Sequence, residues 1–456
     1  MSFNSMFMSQ IAFWMAWILI PLVMEIIPAV GDFFVLIWKV LFEKKTEELT
    51  FFPDITIIIP VYNSEDTLHE CIMSVHDGDY PVDHIQLLLV NNGSKDESFR
   101  VFTECQQKWP DLSMTWMNSS QGKSRALNLA LFASSGKYII NIDSDGILAP
   151  DAVMNMIKRF EADTDLNCMT GTIMTNPEEI KHTRSFIKRL FRKIEFFEYA
   201  QAFLAGRNFQ SVFNSMFTLS GAFSAFRRST ILKTQLYNTD TVGEDTHVTF
   251  QIRQILRQRV SICPDAIFFV DPIENIGQLY TQRQRWQRGE IEVMSMFMKR
   301  KLKAHHFFSD FTIRLLMFDH TFAFPRMIWY FALIFLAFKS YPMKTVALSI
   351  LIIYILYTIS AFLFYINVMI FLRNKREILK FYVTKFYIAA FLPLYNFVVF
   401  WFRFAGMINS ISREQTWKTY NFRDERKVFR SVAAKDFGFL GKRIEKARSW
   451  INSEKE

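Results

Sequence analysis

Cysteine is sparse and scattered. Cys71, Cys105, Cys168 and Cys263 lie far apart, and none belongs to a C-x-x-C pair. This spacing argues against a disulfide framework or a cysteine metal cluster and points to buried, reduced thiols in a cytosolic domain. Glycine is scarce as well, 15 residues against 49 phenylalanines, a balance unusual for a soluble protein. No internal repeat or low-complexity tract is evident. With 50% hydrophobic residues and moderate charge, most of the chain is not of the disordered class. A phosphate-binding P-loop is also missing: Gln121-Gly122-Lys123-Ser124 lacks the upstream glycine at the required spacing.

What is present is unevenly placed. The 456 residues suit two or three domains, with the apolar excess at the two ends and an ordinary globular composition between them. Ile11–Val30 is apolar except for Glu25, long enough to span a bilayer and too long for a signal-peptide core. Phe33–Phe42 either continues that helix or lies at the interface, and Lys44 and Lys45 mark its cytoplasmic side. Thr321–Phe338, Thr345–Leu372 and Tyr387–Ile408 are three further candidate spans, and Lys301–His320 has the mixed composition of an interfacial helix. The linker Arg373-Asn374-Lys375-Arg376 and the tail after Met407 are basic, hence expected in the cytoplasm. Three crossings would leave the tail outside. Either one segment does not cross or Arg300–Phe338 holds another, and Pro393 and Arg403 make the last span the suspect. The expected division is therefore an anchor at 1–45, a catalytic domain at 46–300, an interfacial helix with about three spans at 301–410, and a basic tail at 411–456. The net charge of +9 gathers beside the apolar segments and in the tail, which points to a membrane surface rather than nucleic acid.

Between Asp54 and Arg300 the pattern alternates. Ile55–Ile59, Ile85–Val90 and Lys137–Ile142 read as strands; Glu65–Val75, Ser98–Trp109 and Ser124–Ala133 read as helices. Such alternation predicts an α/β fold with a doubly wound, mostly parallel sheet, whose ligands sit at the carboxyl ends of the strands.

Three constellations stand at such places. The strand Ile139-Ile140-Asn141-Ile142 ends in Asp143-Ser144-Asp145, two carboxylates suited to Mg²⁺ or Mn²⁺ and a diphosphate; a plain surface turn has the same composition. Val242-Gly243-Glu244-Asp245 offers a general base before a helix starting near Thr246, or simply an N-cap by Asp245. Gln282-Arg283-Gln284-Arg285-Trp286-Gln287-Arg288 offers phosphate ligands and a flat ring on one helical face, or a basic helix lying on lipid head groups. Pro60-Val61-Tyr62-Asn63 and Asn91-Asn92-Gly93-Ser94 follow the first two strands, where a nucleotide base can be held, and Lys123 opens the third helix, where phosphate can be met.

In this order and between membrane segments, D-x-D, an acidic pair and Q-x-x-R-W resemble the family 2 glycosyltransferases, most closely the membrane-integrated synthases of cellulose, hyaluronan and poly-N-acetylglucosamine. The resemblance covers about Asp54 to Arg300 and the flanking segments. It implies a GT-A-type nucleotide-binding domain flanked by transmembrane helices, and direct displacement with inversion at the anomeric carbon. By resemblance, Asp143 and Asp145 bind metal and diphosphate, Asp245 is the base with Glu244 beside it, and Gln282, Arg285 and Trp286 serve the acceptor and diphosphate. Pro60, Tyr62, Asn63, Asn92 and Lys123 belong to the nucleotide pocket, and Ser220-Gly221-Ala222-Phe223 to a loop near the acceptor.

Asn91-Asn92 departs from an Asp pair common in the family, although an amide both donates to and accepts from a uracil edge. The tail has Arg426 and Arg430 but no downstream D-x-S-x-x-G, so control through an attached PilZ-type domain is not supported. The implied protein is a multi-pass enzyme of the bacterial plasma membrane. It would take a nucleotide sugar, expected to be a UDP-sugar, and extend a polysaccharide that passes across the membrane, with membrane lipid and either helper subunits or a second copy as partners. The alternative is a single transfer to a lipid or lipid-linked acceptor. A non-catalytic transporter or scaffold is disfavoured, because all the acidic positions are intact.

Overall fold

The computed structural model describes residues 22, 26–42, 48–297, 318–319, 322–323, 335 and 343–412. Most of the predicted span Ile11–Val30, nearly all of Lys301–His320 and Thr321–Phe338, and the tail from residue 413 lie outside the described residues.

Eight strands form one sheet: β1 (Ile55–Val61), β2 (Ile85–Asn91), β3 (Ser113–Asn118), β4 (Tyr138–Ile142), β5 (Gly146–Leu148), β6 (Leu166–Thr175), β7 (Phe223–Arg227) and β8 (Arg259–Val270). Their order is β3-β2-β1-β4-β7-β6-β8-β5. Pairing is parallel between β1 and β2, β1 and β4, β2 and β3, and β6 and β8, whereas β7 and β5 run against their neighbours. The sheet is thus mixed, with one direction predominating as the alternation predicts. The strand and helix expectations up to β4 match the structure within a few residues.

The β-branched run of β1 is buried along its whole length because helices cover both faces. Ile55, Ile57 and Ile59 point into one core with Leu87, Leu89 and Ile140; Ile58 points into the other with Leu88, Ile139 and Leu127. The first core is closed by α2 (Leu68–His76), α3 (Ser98–Lys108), α5 (Ala152–Ala162) and α7 (Phe186–Tyr199), and the second by α4 (Lys123–Ala133) and α10 (Glu244–Phe250). The remaining described helices are α1 (Ile27–Phe42), α6 (Pro177–His182), α8 (Arg207–Val212), α9 (Arg228–Ile231), α11 (Ile276–Phe297), α12 (Met343–Phe371), α13 (Arg376–Val383) and α14 (Leu392–Ser412). All four cysteines are buried and unbridged.

Among the described residues, one helical stretch is long and apolar enough to cross a membrane, Val346–Asn374, with a mean hydropathy of 2.4. It agrees with the predicted span Thr345–Leu372, and Leu348, Leu351, Ile355 and Ile359 stand exposed along it. Helix α1 packs against α12 and exposes Phe34, Trp38 and Leu41. The predicted span Tyr387–Ile408 divides into a 3₁₀ turn at Phe386–Ala390 and α14. Helix α14 lies along α11, and its buried Arg403 pairs with Glu290 at 3.2 Å. Gly406 makes this approach possible, since a Cβ there would come within 3.0 Å of the Gln284 backbone. At the far end of α12, Lys375 pairs with Asp151 at the start of α5, so this basic linker lies on the side of the sheet domain.

Candidate active site

The sheet presents its chemistry where β4 ends. Asp143 leaves the strand with its N–H donating to the Ala222 carbonyl at 3.1 Å. Its carboxylate pairs with the ammonium of Lys123 in the first turn of α4, and that ammonium also donates to the Gly221 carbonyl at 3.2 Å. Burial alone would lower the Lys123 pKa, but Asp143 and Glu244 outweigh it and raise it, so the amine stays charged. Ser144 is the brace of the turn: its hydroxyl bonds to Ser64 at 2.7 Å and its carbonyl accepts from Thr67 at 2.9 Å. Asp145 borders the cavity described below, and desolvation, then the Asp143 charge, pushes its carboxyl up to about 6.

The acidic pair opens α10. Gly243, not Asp245, is the N-cap residue, and no side chain caps there. Asp245 instead accepts from the Gly221 N–H at 3.1 Å and the Thr246 N–H at 2.7 Å. Glu244 is buried beside it, and its carboxyl is pushed up by desolvation and then by Asp245. The pair is brought against α11 by two glycines in backbone contact: a Cβ on Gly243 would lie 3.0 Å from Gly289, and the reverse is equally tight.

Helix α11 divides the Q-x-x-R-W stretch between two jobs. Gln282, Arg285 and Trp286 border the cavity; Gln282 donates to the Tyr199 hydroxyl at 3.3 Å, and Trp286 meets Phe203 edge-on with centroids 5.9 Å apart. Arg283 turns inward, pairs with buried Glu198 at 2.8 Å and lies over the Trp286 ring at 4.3 Å. Arg288 pairs with Glu292 at 2.6 Å.

Together these groups surround one cavity of about 640 Å³ that runs from Lys123, Asp143 and Asp145, past Glu244 and Asp245, to Gln282, Arg285 and Trp286, and reaches Val399 and Arg403 of α14. Ser220, Gly221 and Ala222 also line it. Pro60, Tyr62, Asn63 and Asn92 are not among its lining residues. They stand at the ends of β1 and β2: Pro60 is buried in the strand, Tyr62 is exposed, and Asn63 has a left-handed backbone with φ of 49°. Asn63 accepts from the Lys95 N–H at 2.9 Å and Asn92 from the Gly122 N–H, while Asn91 bonds to Asn118 at 3.0 Å and Ser94 at 2.8 Å. These amides tie the loops together. Sequence reasoning missed Arg207, Tyr199 and Phe203 in the cavity wall. The only local signal for them was a pair of aromatics and an arginine in the mostly apolar stretch Tyr199–Arg207.

The donor set suits a hard divalent cation in part. Asp143 and Asp145 supply carboxylate oxygens from one turn. Among the described residues, no group of three His, Cys, Asp or Glu side chains could hold a metal ion. A cation there would draw its other ligands from a diphosphate and water.

The family model described as glycosyl transferase family 2 matches residues 56–233. Residues 56–233 thus carry a family 2 glycosyl transferase domain. Poly-beta-1,6-N-acetyl-D-glucosamine synthases of Staphylococcus epidermidis and Staphylococcus aureus are each 28% identical to it over 240 residues, 53% of this chain and 55% of theirs. The aligned region spans about half the length of these curated relatives. The fold is similar to that of the mannosyltransferase PcManGT of Pyrobaculum calidifontis, solved with GDP-Man and Mn²⁺, with a TM-score of 0.55 at 17% identity over 87% of this chain and 98% of the other. The eight-stranded mixed sheet is thus GT-A-like.

Proposed function

We propose that this glycosyltransferase elongates a polysaccharide from a nucleotide sugar at the cytoplasmic face of a bacterial membrane. The observation that carries the reading is the convergence of Lys123, Asp143, Asp145, Asp245, Gln282, Arg285 and Trp286 on one cavity. The names of the staphylococcal relatives, together with the family's use of nucleotide sugars, suggest UDP-N-acetylglucosamine as donor and a β-1,6-linked polymer as product.

In this reading Lys123 and Arg285 bind the diphosphate as fixed cations. Mg²⁺ or Mn²⁺ held by Asp143 and Asp145 would neutralise the leaving group. Asp245 is the general base: it takes the proton from the acceptor hydroxyl as that oxygen attacks the anomeric carbon and the nucleoside diphosphate departs. The Gly221 and Thr246 N–H groups hold the carboxylate in place. Glu244, whose pKa is raised by burial and then by the Asp245 charge, takes up its own proton as the pH falls below neutral and is then unavailable as a base. Trp286 offers its face to the acceptor ring. Pro60, Tyr62, Asn63 and Asn92 serve the base of the nucleotide at the strand ends beside the cavity.

The membrane assignment draws support from the apolar stretch Val346–Asn374 and from the exposed apolar side chains of α1 and α12. The division at residues 45, 300 and 410, the number of crossings and the cytoplasmic tail belong to the same proposal. The cavity's reach to Val399 and Arg403 also admits a second reading, one transfer to a lipid-linked acceptor entering beside α14. The test is nucleoside diphosphate release by the full chain in nanodiscs across a panel of nucleotide sugars with Mg²⁺ or Mn²⁺. Release from UDP-N-acetylglucosamine alone is expected, and release from another donor alone would replace the proposed sugar.

A further inference from the structure

Arg207 has no part in the scheme above. It opens α8 directly after Ala200–Gly206, which is wound as a π-helix, a form that often marks functional positions. Its side chain is buried, and the residue is 7% exposed. The guanidinium lies over the Phe203 ring at 4.6 Å and donates to the Thr170 hydroxyl at 3.3 Å. Neither partner is charged. Among the described residues Arg207 forms no ion pair, in contrast to Lys123, Arg283 and Arg403, each of which holds a carboxylate. Burial lowers its pKa to about 10, partly offset by Asp245, so it remains a cation at neutral pH. A desolvated, unpaired guanidinium is costly. It has five donors, Thr170 takes one, and the residue borders the cavity.

Its position selects the ligand. The Thr170 hydroxyl also accepts from the Ser220 N–H at 3.1 Å and donates to the Phe223 carbonyl at 2.9 Å, so one hydroxyl ties Arg207 to the Ser220–Ala222 loop. In that loop the Gly221 carbonyl faces Lys123, on the diphosphate side, and its N–H faces Asp245. Arg207 is linked to the Asp245 side, next to Phe203, which in turn touches Trp286. The geometry points to Arg207 as an acceptor-binding residue, its fork of N–H groups donating to hydroxyl oxygens of the acceptor's terminal sugar and so holding the attacking hydroxyl at Asp245. This rests on the proposed function and adds the group that orients the acceptor.

The test uses the full chain in nanodiscs, UDP-N-acetylglucosamine with Mn²⁺, and a short β-1,6-linked N-acetylglucosamine oligomer as acceptor. For Arg207→Gln the KM for the oligomer should rise roughly 10- to 100-fold, while the Kd for UDP stays within about twofold. Arg207→Lys, which keeps a charge but not the fork, should recover part of the loss. A purely structural role would move both constants together, and that result overturns the inference. So does an unchanged oligomer KM in an active Arg207→Gln enzyme, which leaves the polymer reading intact. A parent enzyme that releases UDP but never extends the oligomer overturns the polymer reading and this role with it.

Discussion

At one end of the cavity, Asp143 and Gly221 are held by short loops at the strand ends and Lys123 by the first turn of α4; at the other, Gln282, Arg283, Trp286 and Glu198 sit on helices packed beside α14. The first end is organised by main-chain hydrogen bonds. Asp143 donates its N–H to Ala222, the Gly221 carbonyl and N–H meet Lys123 and Asp245, and the Ser144 carbonyl accepts from the Thr67 hydroxyl. The second end is organised by side chains, above all the buried pair of Arg283 with Glu198 and that of Arg403 with Glu290. Backbone-built ends tolerate change in neighbouring side chains but not in the few that project. Ends built from buried pairs respond to either partner, because a charge left alone in the interior is costly.

The largest effect should come where the two ends meet. Asp245→Asn is expected to cut kcat by roughly 10²- to 10⁴-fold with UDP affinity nearly kept, measured by UDP release and by calorimetric titration. Full turnover in this variant would remove Asp245 from the base role. At the loop-built end, Asp143→Ala should abolish the Mn²⁺ dependence of UDP binding and weaken it roughly tenfold or more. Equal UDP affinity with and without Mn²⁺ in the parent would sink that assignment.

Gly289→Ala tests the joint itself. A methyl there meets the Gly243 backbone, so the acidic pair must shift away from α11, and kcat/KM should fall roughly 10- to 100-fold. At the helical end, Trp286→Ala should shorten the product while leaving donor KM nearly unchanged; products of parental length would separate Trp286 from the acceptor.

The smallest effect is on stability. Glu195 is buried on α7, with one oxygen accepting from the Ile273 N–H at 3.0 Å and the other without a partner, and desolvation pushes its pKa up to about 8. A raised carboxyl pKa means the fold favours the protonated form. Its contribution is complete below the ordinary carboxylate pKa and is lost as pH rises towards 8. The parent Tm should therefore decline across that window, and Glu195→Gln should flatten the decline. An identical slope in both proteins would assign the decline to other groups.

The same contrast explains what the sequence could reveal. The strands β1, β2 and β4 are short β-branched or aliphatic runs followed at once by their polar residues, so local pattern located both the sheet and Asp143, Asp145 and Lys123. Strands β3 and β5 to β8 were not read: β3 is a half-exposed, polar edge strand, and β7 and β5 pair against their neighbours through contacts distant in sequence. The role of Asp245 as a cap was a sound local expectation, but Gly243 takes the N-cap position and leaves the carboxylate to Gly221. In the Q-x-x-R-W stretch the spacing placed Gln282, Arg285 and Trp286 on one side. It gave no sign that Arg283 pairs with Glu198, 85 residues away. Arg207 escaped notice for the same reason: its neighbours Thr170 and Asp245 come from separate elements.

The account turns on repeated addition at this one cavity. The most direct measurement is a pulse of labelled UDP-N-acetylglucosamine to the full chain in nanodiscs, chased with excess unlabelled donor and resolved on a size gel. Labelled chains that grow long while most acceptor remains unused are the predicted result. Label confined to a single sugar on lipid, before and after the chase, would contradict it.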